Sequence, residues 1–353
     1  MNIKKISLIV GTRPQIIKTQ PLVNSLLKNG FSLSLIHTGQ HYDYKLSQSF
    51  FKELKIMNPT INLEVGKGSS LTQISKIVKK LAKCFAEIKP DLVIIPGDTT
   101  SALAAAISAS KCRIKIAHLE SGARSNQFHM AEEINRRLID HCSDLLFAPT
   151  KNCLYNLKKE SVWGKSFFVG DTMYDLFLDY YKKQKISLLK KNNSNKILIT
   201  IHRAENIDNR QQLSKICKLI NKINDNNFEI LFPMHPHTKK NIKNYGLKLK
   251  IKPMEVIGYF DILRIMATCS LVITDSGGLQ KEAYWMGKPC ITLRETTEWV
   301  ETVREKANFL FPISKELTIK NIEKISKQKI KPKGSLFGSG KASRKITSII
   351  KKL

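Results

Sequence analysis

The sequence lacks any paired-cysteine motif. Its seven cysteines are scattered, none forms a Cys-x-x-Cys pair, and their number is odd. This pattern argues against a disulfide framework and against a zinc site, so we expect reduced cysteines, many of them buried. A metal-binding histidine spacing is missing as well, since there is no His-Glu-x-x-His motif and His235 and His237 lie two residues apart. No metal site is predicted.

Long apolar runs are also missing. The N-terminal apolar run stops at Val10, and no stretch reaches the roughly 18 apolar residues that a membrane-spanning helix needs. No small-residue cleavage site follows the first run, so we interpret it as a β-strand and expect a cytoplasmic protein without membrane insertion. No internal repeat at a solenoid period is present.

Acidic residues are scarce relative to basic ones. The chain has 59 Lys or Arg against 29 Asp or Glu among its 353 residues, a net charge of +30. The lysines are dispersed, with denser runs at 182–191 and 320–333, and no nucleic-acid-binding motif accompanies them. Solvated lysine faces are therefore favoured over a specific nucleic-acid partner, while the positive field favours an anionic substrate.

What the sequence does contain is an alternation of short β-branched runs with helix-like stretches. Continuous apolar strands alternating with helices predict parallel sheets that are covered on both faces. Two successive series predict an α/β fold with two doubly wound, Rossmann-like domains facing a cleft. We place the domains at residues 1–170 and 171–353, with an irregular lysine-rich connection around 182–196.

Ligands of open α/β sheets bind beyond the carboxyl ends of the strands, so polar residues that follow strands are the candidates. The first such motif is GTRPQIIK at 11–18. Gly11 allows close approach of the backbone, and Arg13 and Lys18 offer charge to a phosphate at a helix N-terminus. An ordinary strand-to-helix turn with two solvated cations is an equally good interpretation.

The second motif is DSGGLQKE at 275–282. Ser276, Gly277 and Gly278 present backbone N–H groups and a hydroxyl at a helix start, which suits a diphosphate. Glu282 lies one helical turn further on, where its carboxylate could bind a ribose diol. A tight turn that caps a helix is the alternative, and the Ser-Gly-Gly sequence favours binding.

A third group consists of acids at strand ends and at a helix start. They are Asp98, Glu120, Glu132 and Glu133. Such acids are costly to bury unless they are used or paired, and Arg124, Arg136 and Arg137 offer structural pairing as the alternative. Several carboxylates around an anionic substrate resist ionisation, which suits one of them to acid/base work.

Histidines at strand ends form the last group. Such a histidine is often structural, but His202 follows a predicted strand beside Arg203, so contact with a phosphate is favoured. For His235 the two interpretations are balanced.

In their order and approximate spacing, these motifs resemble those of the non-hydrolysing UDP-N-acetylglucosamine 2-epimerases. The matching segments span nearly the whole chain and are GTRPQIIK, HTGQHYD, PGDTTSALA, HLESGARS, EEINR, VGDTMYD, HRAEN, MHP, DSGGLQKEA, GKPCITLRETTEW and FGSGKAS. The resemblance implies a GT-B-type fold, a homodimer, and a UDP-amino sugar bound in the interdomain cleft. It implies no metal and no nicotinamide cofactor.

The family reaction inverts C2 of the sugar and converts UDP-N-acetylglucosamine to UDP-N-acetylmannosamine, a precursor of surface polysaccharide. UDP leaves to give 2-acetamidoglucal, then adds back with protonation on the other face. By motif, the first domain carries the acid/base residues and the second binds UDP, and the C-terminal helix packs back on the first. The residues carried over are the catalytic candidates Asp98, Glu120, Glu132 and His202, and the UDP-binding candidates Arg13, Lys18, Ser276, Gly277, Gly278 and Glu282.

Departures from the family pattern concern the substrate. Gln15 stands where ordinary members have Glu, and Trp299 stands where many have Arg. With the GDTMYD form, these residues favour a subgroup that acts on the UDP-2,3-diacetamido-glucuronate analogue. Ser121 and Ala131 depart without indicating a substrate, and Ala204 replaces the second Arg of regulated members, so activation by substrate is not expected. A hydrolysing relative, which would open with a GTRAD-like motif, and a GT-B glycosyltransferase are the weaker alternatives.

Overall fold

The computed structural model describes residues 3–40, 51, 53–186 and 195–353. The chain forms two compact units, one of Met1–Asp179 with Gly334–Leu353 and the other of Tyr180–Lys333. The lysine-rich connection predicted around 182–196 and the end of the HTGQHYD motif lie partly outside the described residues. In the described part of the chain, every helix is too short or too polar to cross a membrane.

The first unit is built on a seven-stranded sheet in the order β3-β2-β1-β4-β5-β6-β7, and neighbouring strands are parallel. Its strands are β1 Lys5–Val10, β2 Ser32–His37, β3 Ile61–Asn62, β4 Leu92–Pro96, β5 Lys115–Leu119, β6 Leu145–Ala148 and β7 Lys165–Phe168. The helices that follow them are α1 Arg13–Lys28, α2 Ser70–Ile88, α3 Thr100–Lys111, α4 Ala131–Cys142, α5 Lys151–Lys159 and α6 Thr172–Lys183.

The second unit is built on a five-stranded parallel sheet in the order β12-β11-β10-β8-β9. Its strands are β8 Lys196–Thr200, β9 Glu229–Leu231, β10 Leu271–Thr274, β11 Cys290–Thr292 and β12 Asn308–Leu310. Its helices are α7 Ala204–Ile207, α8 Arg210–Asn224, α9 Pro236–Asn244, α10 Tyr259–Thr268, α11 Gly277–Met286, α12 Val300–Arg304 and α13 Ile319–Ser326.

The C-terminal helix α14, Ala342–Lys351, belongs to the first unit. Asp175 on α6 accepts hydrogen bonds from the backbone N–H groups of Ala342 (3.0 Å) and Ser343 (2.8 Å) and so holds the start of α14. The hydroxyls of Ser25 on α1 and Thr347 on α14 are 2.8 Å apart. The last segment of the chain is thus anchored by specific hydrogen bonds.

Both strand orders reverse at one point, between β1 and β4 in the first sheet and between β8 and β10 in the second. The apolar strands are buried on both faces: all five residues of β4 and all four of β10 are buried. The predicted α/β class with two parallel, doubly wound sheets is confirmed. Because crevices open where the strand order reverses, the turns after β1, β4, β8 and β10 are the places to look for a ligand site.

Candidate active site

The turn after β1 is tightly packed against neighbouring side chains of the first unit. A Cβ on Gly11 would overlap the hydroxyls of Ser101 and Thr38. The Gln15 side chain, only 1% exposed, accepts hydrogen bonds from Gly11 N (2.8 Å) and Thr12 N (3.1 Å). Its amide nitrogen donates to the Pro96 carbonyl at the end of β4 (2.7 Å). Gln15 therefore joins the two turns that flank the switch point of the first sheet.

Lys18 and Glu120 form a largely buried ion pair beside this turn. Lys18 Nζ contacts Glu120 Oε2, and the two side chains are 16% and 13% exposed. Glu120 directly follows β5, and its φ of 68° is left-handed, a strained conformation for a residue other than glycine. A Cβ on Gly97 would lie 3.4 Å from Lys18 Nζ and 3.7 Å from Glu120 Oε2, so the ion pair sits against the turn that precedes Asp98.

Asp98 forms a second ion pair at the end of β4. Its carboxylate is 2.5 Å from a guanidinium nitrogen of Arg136 on α4, and its side chain is 29% exposed. The Asn135 side chain donates to the Asp98 carbonyl oxygen (2.9 Å). The structure thus brings Asp98, Glu120 and Lys18 to the carboxyl edge of the first sheet.

Glu132 is placed differently from these residues. It lies in the first turn of α4 with its side chain exposed. Its neighbour Glu133 is fully buried and accepts hydrogen bonds from Ser125 N (2.8 Å) and Arg137 Nε (3.0 Å). The arginine pairing that the sequence left open is therefore observed for Glu133, with Arg137, and also for Asp98, with Arg136. Arg13, the first residue of α1, is half-buried.

In the second unit, Asp275 joins the turns after β8 and β10. It is fully buried and accepts hydrogen bonds from the backbone N–H groups of His202 (3.2 Å) and Arg203 (3.0 Å) and from Asn206 Nδ2 (2.9 Å). These bonds hold the turn containing His202 against the turn containing Ser276. Sequence reasoning does not select Asp275. Its position, directly after an apolar strand and just before the Ser276-Gly277-Gly278 turn, is the feature that could have indicated its role.

The N-terminus of α11 is partly exposed. Ser276 is its N-cap residue and makes no side-chain capping hydrogen bond, and Gly277 and Gly278 begin the helix. A Cβ on Gly277 would meet nothing closer than Trp299 Nε1 (3.6 Å) and Glu298 Oε2 (3.8 Å). Backbone N–H groups at such a helix start bind phosphate. The His202 side chain, 45% exposed, lies beside Asp275, with Nδ1 and Oδ1 3.6 Å apart.

The rest of α11 carries buried charge. Glu282 is 1% exposed and follows Gly278 by one turn, as predicted from the spacing. Lys281 is also 1% exposed, and its Nζ lies 4.1 Å from the Trp299 ring centroid and 5.8 Å from that of Trp285. Such cation–π contacts stabilise a desolvated cation. Sequence reasoning missed Lys281 because the nearer ring, that of Trp299, comes from outside α11, whereas Trp285 lies on the same helix.

Arg294 and Glu298 complete the buried charge around α11. The Arg294 guanidinium is 2.9 and 3.2 Å from the two carboxylate oxygens of Glu298, and an Arg203 nitrogen lies 3.7 Å from one of them. Among the described residues, no three His, Cys, Asp or Glu side chains are grouped as metal ligands. Each sheet therefore carries one cluster of charged groups at its carboxyl edge.

Comparison with known proteins gives consistent matches over the whole chain. Residues 25–351 match the family model described as UDP-N-acetylglucosamine 2-epimerase. A "UDP-N-acetylglucosamine 2-epimerase homolog" of Methanococcus maripaludis is 42% identical over 99% of this chain and 100% of its own length. A UDP-2,3-diacetamido-2,3-dideoxy-D-glucuronate 2-epimerase of Pseudomonas aeruginosa is 37% identical over 99% and 100%. The crystal structure of Methanocaldococcus jannaschii UDP-GlcNAc 2-epimerase with UDP-GlcNAc and UDP is 39% identical over 99% and 100%, with a TM-score of 0.91.

Proposed function

This chain belongs to the UDP-N-acetylglucosamine 2-epimerase family, and we propose that it converts UDP-N-acetylglucosamine to UDP-N-acetylmannosamine without hydrolysis. It is accordingly an isomerase that acts on a UDP-sugar. The observation that carries the proposal is that each sheet presents a different kind of group near its switch point. One holds the carboxylates Asp98 and Glu120, and the other holds a phosphate-type cradle at Ser276–Gly278.

The chemistry explains why both clusters are needed. The C2 proton is not adjacent to a carbonyl, so we propose that UDP leaves first in an elimination that forms 2-acetamidoglucal, after which UDP adds back. The departing UDP must stay bound, and the α11 N-terminus is suited to hold its diphosphate with His202 nearby. We assign the ribose to Glu282 and further contacts with the nucleotide to Arg13 and Lys18.

Inversion also requires proton removal on one face of C2 and delivery on the other. Asp98 and Glu120 follow β4 and β5, which are neighbours in the sheet, so the two residues lie at the same edge of the sheet on adjacent strands. We propose that these two residues, with Glu132, supply the acid and the base. We also propose that the first unit carries the acid/base chemistry and the second unit the main UDP-binding site.

We further propose that the enzyme is a homodimer and supplies precursors of surface polysaccharide. Exposed apolar side chains on and before α4 support a second copy: Phe128 is 62% exposed, Ile134 46% and Leu138 47%. Light scattering at micromolar concentration tests this proposal. A monomer at all concentrations would contradict it.

The same reaction on UDP-2,3-diacetamido-2,3-dideoxy-glucuronate is the second candidate. The Pseudomonas aeruginosa relative and Trp299 beside the start of α11 favour it. Gln15 bears on the choice less directly, because its side-chain hydrogen bonds go to the backbone of Gly11, Thr12 and Pro96.

The decisive experiment incubates the protein with each UDP-sugar in deuterated water and follows C2 by NMR. Deuterium at C2 together with the manno product identifies the substrate. Free UDP released in step with product would indicate a hydrolysing enzyme, and a requirement for an acceptor would indicate a glycosyltransferase. Absence of C2 deuteration with both sugars would disprove the proposed function.

A further inference from the structure

A buried ion pair lies beneath the acid-bearing turns of the first unit. His118 on β5 and Asp140 on α4 are both fully buried. His118 Nδ1 lies 2.6 Å from Asp140 Oδ1, and Nε2 lies 2.9 Å from the Gly97 carbonyl oxygen. A carbonyl can only accept, and an ionised carboxylate can only accept. Nε2 therefore donates to Gly97, and Nδ1 is bonded to the carboxyl group of Asp140.

Asp140 is kept ionised by the groups around it. Burial raises the pKa of Asp140, but the charges and hydrogen bonds of His118 and Arg124 outweigh burial and hold the pKa below its usual range. Its second oxygen accepts from Gly122 N (3.0 Å) and from Arg124 (2.7 Å). One carboxylate thus receives three donors, two of them from the loop that follows β5.

These contacts hold the backbone on which the acid/base candidates stand. Glu120 and Gly122, with φ of 68° and 78°, form a turn that persists only if its surroundings enforce it. Asp140 accepts a hydrogen bond from the Gly122 N–H in this turn, and His118 Nε2 bonds to the Gly97 carbonyl oxygen in the turn before Asp98. The two acid-bearing turns are therefore both hydrogen-bonded to the His118–Asp140 pair.

We propose that His118 and Asp140 are positioning residues for the C2 chemistry: their ion pair sets where the carboxylates of Asp98 and Glu120 lie. The inference rests on the function proposed above. Stability alone is a poor explanation for the pair, because an apolar pair of similar volume often stabilises a core as well or better. What an apolar pair could not do is hold two turns by directed hydrogen bonds.

The first test is Asp140→Asn, which keeps the shape but removes the charge and one acceptor. We expect kcat to fall about 100-fold, since displacing a catalytic group by roughly 1 Å costs that much. The Kd for UDP, measured by calorimetry, should change less than about twofold, because the hydrogen bonds of the Asp140 carboxylate go to His118, Gly122 and Arg124, none of which is assigned to UDP, and sites without shared partners act independently. Loss of kcat without loss of UDP affinity separates positioning from unfolding.

Glu160→Gln is the matched control. Glu160 lies in the same network and accepts from Arg124 and Arg137 (both 2.7 Å), but it has no hydrogen bond to His118 or Gly122. Its kcat should stay within about threefold of wild type, as expected for a partly exposed ion pair. Equal losses in the two variants would overturn the proposal, as would a wild-type kcat in Asp140→Asn.

A second readout needs no turnover. In protein labelled with ¹⁵N-histidine, Nε2 of His118 should carry the proton that it donates to Gly97, with the signal assigned by its loss in His118→Gln. An Nε2 without a proton would overturn the proposal even if Asp140→Asn failed to fold. Failure of the proposed function is separate, because it would show as absent C2 exchange in the wild type with this hydrogen bond intact.

Discussion

The candidate groups of the two units differ in kind: those of the first unit are charged side chains, and those of the second are mainly backbone N–H groups. In the first unit, the candidate groups are side chains in ion pairs, Lys18 with Glu120 and Asp98 with Arg136. In the second unit, the candidate phosphate site is mainly backbone, the first N–H groups of α11 at Ser276–Gly278. Proton transfer needs groups whose protonation state can change, whereas retaining a diphosphate needs fixed donors that never change. The comparison suggests a division of labour between chemistry and binding.

The largest effect is expected at Glu120. Glu120→Gln keeps the side-chain volume but removes the group proposed to take or give the C2 proton. We expect kcat to fall by about 10³-fold or more, within the range for loss of general acid/base catalysis. UDP affinity should fall much less than kcat, because the backbone cradle at the start of α11 is unchanged and the nucleotide contact that loses its partner is Lys18. Deuterium incorporation at C2 and calorimetric titration with UDP provide the two measurements.

Glu255→Gln serves as its control, because Glu255 is 88% exposed and pairs only with Lys239 at the surface. This variant should match the wild type in both measurements. If Glu120→Gln lowered UDP affinity as strongly as kcat, the proposed separation of chemistry from UDP binding would be wrong.

A smaller effect is expected at Asp275, which joins two turns of the second unit. Asp275→Asn retains one acceptor oxygen for the three donors from His202, Arg203 and Asn206. We expect a loss of about 2–3 kcal/mol in the free energy of unfolding, since hydrogen bonds to buried charge are worth this much. Urea denaturation measures it. Asp225→Asn, at an exposed pair with Lys250, should be nearly neutral, and equal stability of both variants would contradict the role given to Asp275.

Gly277→Ala tests the backbone cradle without disturbing the fold. The added methyl group would make only ordinary contacts with Trp299 and Glu298, so folding stability should be retained. It would, however, crowd the N–H groups offered to phosphate, and we expect about tenfold weaker UDP binding, or about 1.4 kcal/mol. Gly334→Ala, where no heavy atom lies within 4 Å of the added Cβ, should bind UDP normally. Unchanged UDP affinity in Gly277→Ala would place the diphosphate elsewhere.

The same comparison shows what could be predicted from the sequence. The strand-end positions of Asp98, Glu120 and Ser276, and that of Glu282 one helical turn later, follow from local patterns, because a strand and the helix after it are contiguous in sequence. The partners do not follow: His118 meets Asp140, and Lys281 meets Trp299, through packing between different elements. Gly11 shows the limit of a local interpretation, since the space beside it is filled by Ser101 and Thr38. The expectation of free cysteines, many of them buried, is confirmed.

The smallest predicted effect is a difference in thiol reactivity among these cysteines, and we expect no change in enzyme activity from it. In the second unit, burial raises the pKa of Cys217 and Cys269 to about 11 and that of Cys290 to about 12. Near pH 8 only about one thiol in a thousand or fewer would be the reactive thiolate, so disulfide reagents should leave these residues unmodified. In the first unit, Cys112 is exposed and should react fast, and Cys112→Ser should remove that phase. Peptide mapping after brief labelling locates the label, and fast modification of the second unit would show that its core opens more readily than its burial implies.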